Sequence, residues 1–144
     1  MGNKRKIEII CNKHGSFWQL PINHLRKTGC PTCRASKGEI EIENFLKSNN
    51  INFQFQKKFN ECKNKKMLPF DFYLPEFNIL IEYDGEQHYK VITWSKNKHK
   101  NEQKFIDTKY KDSIKNNFAK TNNIKLIRIK YNESIEDKLK FLYE

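Results

Sequence analysis

Apolar and polar positions alternate in short bursts up to about residue 35, and in longer, regular patterns beyond it. Residues 6–10 have strand character, residues 11–15 make a tight turn, and residues 16–20 return as the second strand of a hairpin. Pro21 suits the first position of a short helix over residues 21–27, where a missing N–H costs nothing, and residues 29–33 form a second turn. Ser36 followed by Glu39 reads as a capping box that opens a helix with Ile42, Phe45 and Leu46 inward and Asn49-Asn50 at its end. Ile51, Phe53 and Phe55 then alternate with polar residues, as in a half-buried strand. Residues 61–66 are a charged turn. Strands follow over residues 68–74 and 78–84, and Ile79-Leu80-Ile81 is apolar enough to be central. Residues 85–100 read as a loop. Residues 102–121 read as a helix facing inward through Ile106, Tyr110, Ile114 and Phe118, residues 124–130 as a strand, and residues 133–142 as a last helix. The expectation is an α/β (α+β) chain in two parts. Residues 1–35 form a small module, and residues 36–144 an αβββαβα domain with a mixed central sheet.

Charge separates the same regions. The chain of 144 residues carries 28 Lys+Arg against 17 Asp+Glu, a net +11. This charge is distributed as +6 over residues 1–35, −2 over residues 36–89 and +7 over residues 90–144. Because 24 of the 28 are lysine and lysine shares A/T-rich codons with the abundant Asn and Ile, the distribution says more than the total. Carboxylates in the centre with lysines on both flanks suit a metal-dependent enzyme acting on a polyanion. No apolar run approaches the ~18 residues of a membrane span, so the expectation is an intracellular protein that is neither secreted nor membrane-bound.

Residues 1–35 are too few to build a core of their own. Cys11-x-x-His14 and Cys30-x-x-Cys33, separated by 15 residues, offer an alternative. Each two-residue gap lets both ligands of a knuckle point at one ion, and two knuckles close a tetrahedral Cys₃His site of the structural zinc type. Disulfides are disfavoured in an intracellular chain. His24 and Cys62 have no knuckle partner.

Asp71 lies on one expected strand, and Glu82 and Asp84 end the next. Side chains two apart on a strand share a face, so the three carboxylates can converge at one end of the sheet. Their repulsion calls for a cation, and hard oxygen ligands favour Mg²⁺ or Mn²⁺. Gly85 then turns the chain so that Gln87 and His88 can return toward the ion.

Taken together, Ser36-Lys-Gly-Glu39, Phe70-Asp71-Phe, Ile81-Glu82-Tyr-Asp84-Gly-Glu-Gln87-His88-Tyr89, Lys111-Asp112-Ser-Ile-Lys115 and Leu126-Ile-Arg128-Ile resemble the PD-(D/E)XK nuclease superfamily. The nearest branch is that of very-short-patch mismatch endonucleases and related phage-type homing endonucleases, and the Cys11–Cys33 module resembles those found ahead of such domains. The resemblance implies a restriction-endonuclease-like αβββαβ core, a zinc-ribbon-like module and Mg²⁺- or Mn²⁺-dependent cleavage of double-stranded DNA. It maps Glu39 to the acidic residue of the first helix, Asp71 to the metal-binding aspartate and Glu82 to the (D/E) position. At the lysine position the chain has Asp84. Either Asp84 is a further metal ligand, or His88 or Lys115 supplies the missing function, and the branch favours His88. Gln87 would hold water or phosphate, and Asp112 and Lys115 match a helix position that supports the site. The alternative is a non-catalytic zinc-containing DNA- or RNA-binding protein with a nuclease-like core. A more remote one is a zinc-stabilised protein-interaction module.

Overall fold

The computed structural model describes residues 4–12, 15–27, 29–30, 33 and 36–144. Two compact units are present, Met1–Ile40 and Glu41–Glu144. In the first, β1 (Ile7–Cys11) pairs antiparallel with β2 (Gly15–Gln19), and Cys11 faces Gly15. A short helix α1 (Pro21–Leu25) opens on its proline. The buried Gln19 amide donates to the carbonyl of Gly29 at 3.2 Å, tying the hairpin end to the turn before Cys30. Gly29 has φ +75°, a left-handed conformation in which a β-carbon would be strained. The Ser36 hydroxyl accepts the Glu39 N–H at 3.2 Å as α2 (Lys37–Ser48) begins, the geometry of a serine N-cap.

The second unit is mixed α/β. The rest of α2 buries Ile42 and Leu46 completely, and Asn50 ends it at φ +54°. Strands β3 (Gln54–Lys57), β4 (Phe70–Leu74), β5 (Ile79–Asp84) and β6 (Lys125–Lys130) form one sheet in the order β3-β4-β5-β6. The β3–β4 and β4–β5 pairs are antiparallel, and β6 runs parallel to β5. A parallel neighbour needs a long crossover, which α3 (Lys98–Thr121) supplies. Helix α4 (Ile135–Leu139) and a 3-10 turn (Lys140–Leu142) follow. On one face Phe72, Leu74, Ile79, Ile81 and Ile129 pack with Ile42, Leu46 and Leu139. On the other, Leu80 packs with Phe118 and Ala119 of α3, beside Phe70 and the buried Cys62 thiol.

Three expectations need correction. Helix α3 starts at Lys98, inside the expected loop, because the Asn97 side chain accepts the Lys100 N–H and caps it. Ile106 and Tyr110 are each 57% exposed rather than inward, while Ile114 and Phe118 do reach the core. The cause is length. A helix of 24 residues runs about 36 Å, whereas the six residues of β5 span about 20 Å, so one end must overhang. The last helix is shorter than expected, five residues before the 3-10 turn. Among the described residues, no helix is long and apolar enough to cross a membrane.

Candidate active site

Pairing of Phe72 with Ile81 and Tyr73 with Leu80 puts Asp71 and Glu82 at the next step of the same register. Across the parallel pair, Glu82 faces Arg128. Side chains alternate along a strand, so Asp71, Glu82 and Arg128 form a row on the face covered by α3. Asp71 Oδ2 accepts the Tyr83 backbone N–H at 2.8 Å, and its Oδ1 lies 3.5 Å from the Gln56 amide nitrogen. Glu82 is 3% exposed, and its Oε1 accepts a hydrogen bond from Lys115 Nζ at 2.7 Å.

Both carboxyls are pushed toward the protonated form. Burial raises Asp71, against the opposing pull of the Tyr83 N–H. Burial and then the charge of Asp71 push Glu82 up to about 8, although Lys115 works the other way. Linkage gives the sign of the consequence. The unfolded chain releases the Glu82 proton near 4.5 and the folded chain near 8, so between these values the folded state binds more proton. In metal-free buffer, stability should therefore fall as pH rises through this window. Thermal melts at several pH values check this, and a Tm that climbs steadily across the window would contradict the raised Glu82 titration.

Asp84 belongs to a second network. Its Oδ1 accepts from Arg128 Nη1 at 2.7 Å and its Oδ2 from the Tyr89 hydroxyl at 3.2 Å. Arg128 also donates from Nε to Asn116 Oδ1 at 2.8 Å. His88 sits in a 3-10 turn (Glu86–His88), with Nδ1 2.8 Å from Asp112 Oδ2 and 3.7 Å from Asp84 Oδ1. Burial raises Asp112, but the His88 hydrogen bond and the Arg128 charge outweigh it and hold the carboxyl below its ordinary value. Asp84 thus does not gather with Asp71 and Glu82 into the expected three-carboxylate cluster, because its oxygens are committed to Arg128 and Tyr89. Glu39 lies in the first unit, on the opening turn of α2.

Two clefts meet at His88 and Asp112. One, of about 340 Å³, is lined by Pro69, Gln87, His88, Lys111, Asp112 and Lys115. The other, of about 250 Å³, reaches Asp84, Tyr89 and Arg128. Sequence reasoning assigned no role to Arg128, although it is one of 4 arginines in a chain with 24 lysines. A planar fork is what bonding to both a carboxylate and an amide requires. It also missed Gln56, which takes φ +56° beside Asp71. A non-glycine residue in that region stores about 1–3 kcal/mol of strain, and nothing in the local sequence announces it.

In the first unit the sulfurs of Cys11, Cys30 and Cys33 lie within 4.8 Å of one another, and those of Cys11 and Cys33 are 3.6 Å apart. Among the described residues this is the only group of three or more His, Cys, Asp or Glu side chains placed to hold a metal ion. Hydrogen bonding to Cys11, followed by burial, pushes the Cys33 thiol up to about 11, and a cation among the sulfurs would reverse this. His14, the expected fourth ligand, lies outside the described residues.

Residues 1–34 match the model of a family described as "Protein of unknown function (DUF723)". Over 76 residues, 53% of the chain, the sequence is 36% identical to Uncharacterized protein 307L of Invertebrate iridescent virus 6. Over 116 residues, 75% of the chain, it is 26% identical to Uncharacterized protein 033L of Invertebrate iridescent virus 3. No solved structure matches. The chain spans 36% of the first of these viral relatives and 56% of the second, so its likeness to them is a likeness to part of each.

Proposed function

We propose that the chain is a Mg²⁺- or Mn²⁺-dependent DNA endonuclease, with a restriction-endonuclease-like core and a zinc-ribbon-like module. One observation carries this reading: half-buried Asp71 and buried Glu82 face each other across β4 and β5, and the Lys115 ammonium lies 2.7 Å from Glu82. Two hard oxygen donors on one sheet face suit a small divalent cation, and such an ion would offset the burial and charge repulsion that raise both carboxyls. When bound it would polarise the scissile phosphate and ready a water for attack. Lys115 brings from α3 the positive charge that the family motif carries at the position of Asp84, and offsets charge on the phosphate. Asp112 occupies Nδ1 of His88, leaving Nε2 to take the proton of the attacking water. Gln87, exposed in the cleft, offers its amide to the phosphate. Asp84 anchors Arg128 between β5, β6 and α3, and no step is assigned to Glu39.

The zinc assignment rests on sulfur geometry. Tetrahedral zinc with Zn–S bonds of about 2.3 Å sets its sulfurs about 3.8 Å apart, close to the 3.6 Å between Cys11 and Cys33. His14 completes the set in this reading.

Incubation of supercoiled plasmid DNA with the protein and Mg²⁺ or Mn²⁺ tests the proposal: cleavage that EDTA stops supports it. A second reading has its own observation. The Lys115–Glu82 bond already satisfies Glu82 without an ion, as a nuclease-like core that binds nucleic acid without cutting it would require. Binding with no cleavage in either metal selects that reading. Within the first reading, Lys115→Ala should slow cleavage by about 10²–10³-fold and His88→Ala by about 10²–10⁴-fold, the latter with DNA affinity nearly unchanged. Single-turnover rates measure the two separately. A normal rate for Lys115→Ala would return the lysine's role to His88 alone.

A further inference from the structure

The segment between the Glu86–His88 turn and α3 is fastened in a way the candidate active site does not explain. Asn101, only 5% exposed, clamps Ser95 from both sides: its Oδ1 accepts the Ser95 N–H at 3.2 Å, and its Nδ2 donates to the Ser95 carbonyl at 3.0 Å. The capping bond of Asn97 adds a third tie. The residue held in place by this clamp is Trp94, which is 53% exposed. Burying an amide to present an indole to solvent contributes little to a core. It does preform a pocket, a concavity of about 270 Å³ between the segment and α3 with Trp94, Ile92 and Phe105 as walls and Lys90 and Lys104 at the rim.

The chemistry of the walls selects the occupant. Lys104 Nζ lies 4.7 Å from the centre of the Trp94 ring, so the mouth is cationic and repels a positive ligand. Apolar walls of Ile92, Trp94 and Phe105, with Gln87, Asn101 and Thr108 among the polar lining, suit a flat heterocycle with hydrogen-bonding edges better than a bare phosphate. The volume lies below the ~300 Å³ lower bound of ordinary small-molecule sites, which suits one ring system. Gln87, Lys104 and Thr108 line both this pocket and the cleft that contains His88, Asp112 and Lys115. Lys104, Thr108, Asp112 and Lys115 follow one face of α3 at helical spacing. From Lys104 to Lys115 the helix rises about 16 Å, roughly five nucleotides of B-form rise along one strand.

We propose that this pocket takes one unpaired nucleobase of a DNA strand whose phosphates pass over Lys104, Lys111 and Lys115 toward the candidate active site. The inference rests on the DNA reading above and narrows its substrate class. A paired base, stacked on both faces, cannot enter a concave pocket without being pulled from the helix. The site therefore favours DNA that carries unpaired nucleotides near the cut over continuous duplex.

The test uses the whole chain in metal-free buffer, with two dye-labelled probes: a short blunt duplex, and the same duplex with a single-stranded extension. Trp18→Phe leaves Trp94 as the sole indole. The expected result is tighter binding of the extended probe by roughly tenfold, the worth of one base stacked on an aromatic ring, together with quenching of Trp94 by that probe alone. Trp94→Ala should remove the preference without weakening blunt-duplex binding, and Trp94→Phe should keep it. Equal affinity for both probes with unchanged Trp94 emission overturns the pocket assignment and leaves the DNA reading standing. Failure to bind either probe overturns the DNA reading, and the inference with it. The quench is read in protein with an intact pocket, so the result does not depend on the alanine variant folding.

Discussion

Asp71→Asn is expected to abolish metal-dependent cleavage while preserving the fold. Asparagine keeps an oxygen that can accept the Tyr83 N–H and nearly the same shape, so the strand should not move. It removes one of the two charges that would hold the ion. Losing the ion costs both phosphate polarisation and water activation, so the rate should fall by more than the ~10³-fold upper cost of a single transition-state donor. The variant has a second readout. Asp71 charge is one cause of the raised Glu82 titration, so the fall in stability with rising pH should shrink in Asp71→Asn. Plasmid cleavage, circular dichroism and pH-dependent melts together decide the matter. A folded Asp71→Asn protein that still cuts at the normal rate would remove Asp71 from the metal site.

Removal of zinc should unfold the first unit while the second remains folded. The hairpin and α1 bury little: Ile10, Trp18 and Leu25 are 77%, 63% and 76% exposed. A structural zinc contributes on the order of 10 kcal/mol of folding free energy, far more than such a surface can supply. Purified protein should carry one zinc per chain, and Cys30→Ser should lose it. Cys30 is the buried member of the sulfur cluster, so serine there leaves a hydroxyl that is a poor ligand for a soft site. Elemental analysis with NMR of the hairpin amides checks both parts. A hairpin that stays ordered with no metal present would leave its stability to other contacts and dispose of the zinc assignment.

The sequence disclosed those parts of the fold and site that depend on neighbours close in the chain. Ile79-Leu80-Ile81 announced a central strand by being apolar on both faces, and the strand is buried throughout that run. Glu82 and Asp71 were placed on one face by counting along a hairpin. What counting could not give is the choice between partners brought by the crossover. Asp84 shares a face with Glu82, yet Arg128, 44 residues away, takes its Oδ1. Lys115 reaches Glu82 from 33 residues away, and no spacing rule orders it above His88. Ile106 and Tyr110 follow the helical period faithfully but overhang the sheet, because periodicity records a face and not the length of what covers it.

The same separations impose an order of assembly. Strands β4 and β5 close a short loop and can pair early, and each doubling of a closed loop adds only about 0.6 kcal/mol of entropy. The parallel strand and its crossover helix must close longer loops before any contact rewards them, which is the slow step in such topologies. Until α3 docks, Asp71 and Glu82 stand in water as two ordinary carboxylates with no ammonium beside them. The hydrophobic sheet can thus form while the polar row across it is incomplete. The chain acquires its candidate reactive centre only when contacts spanning 33 and 44 residues have closed.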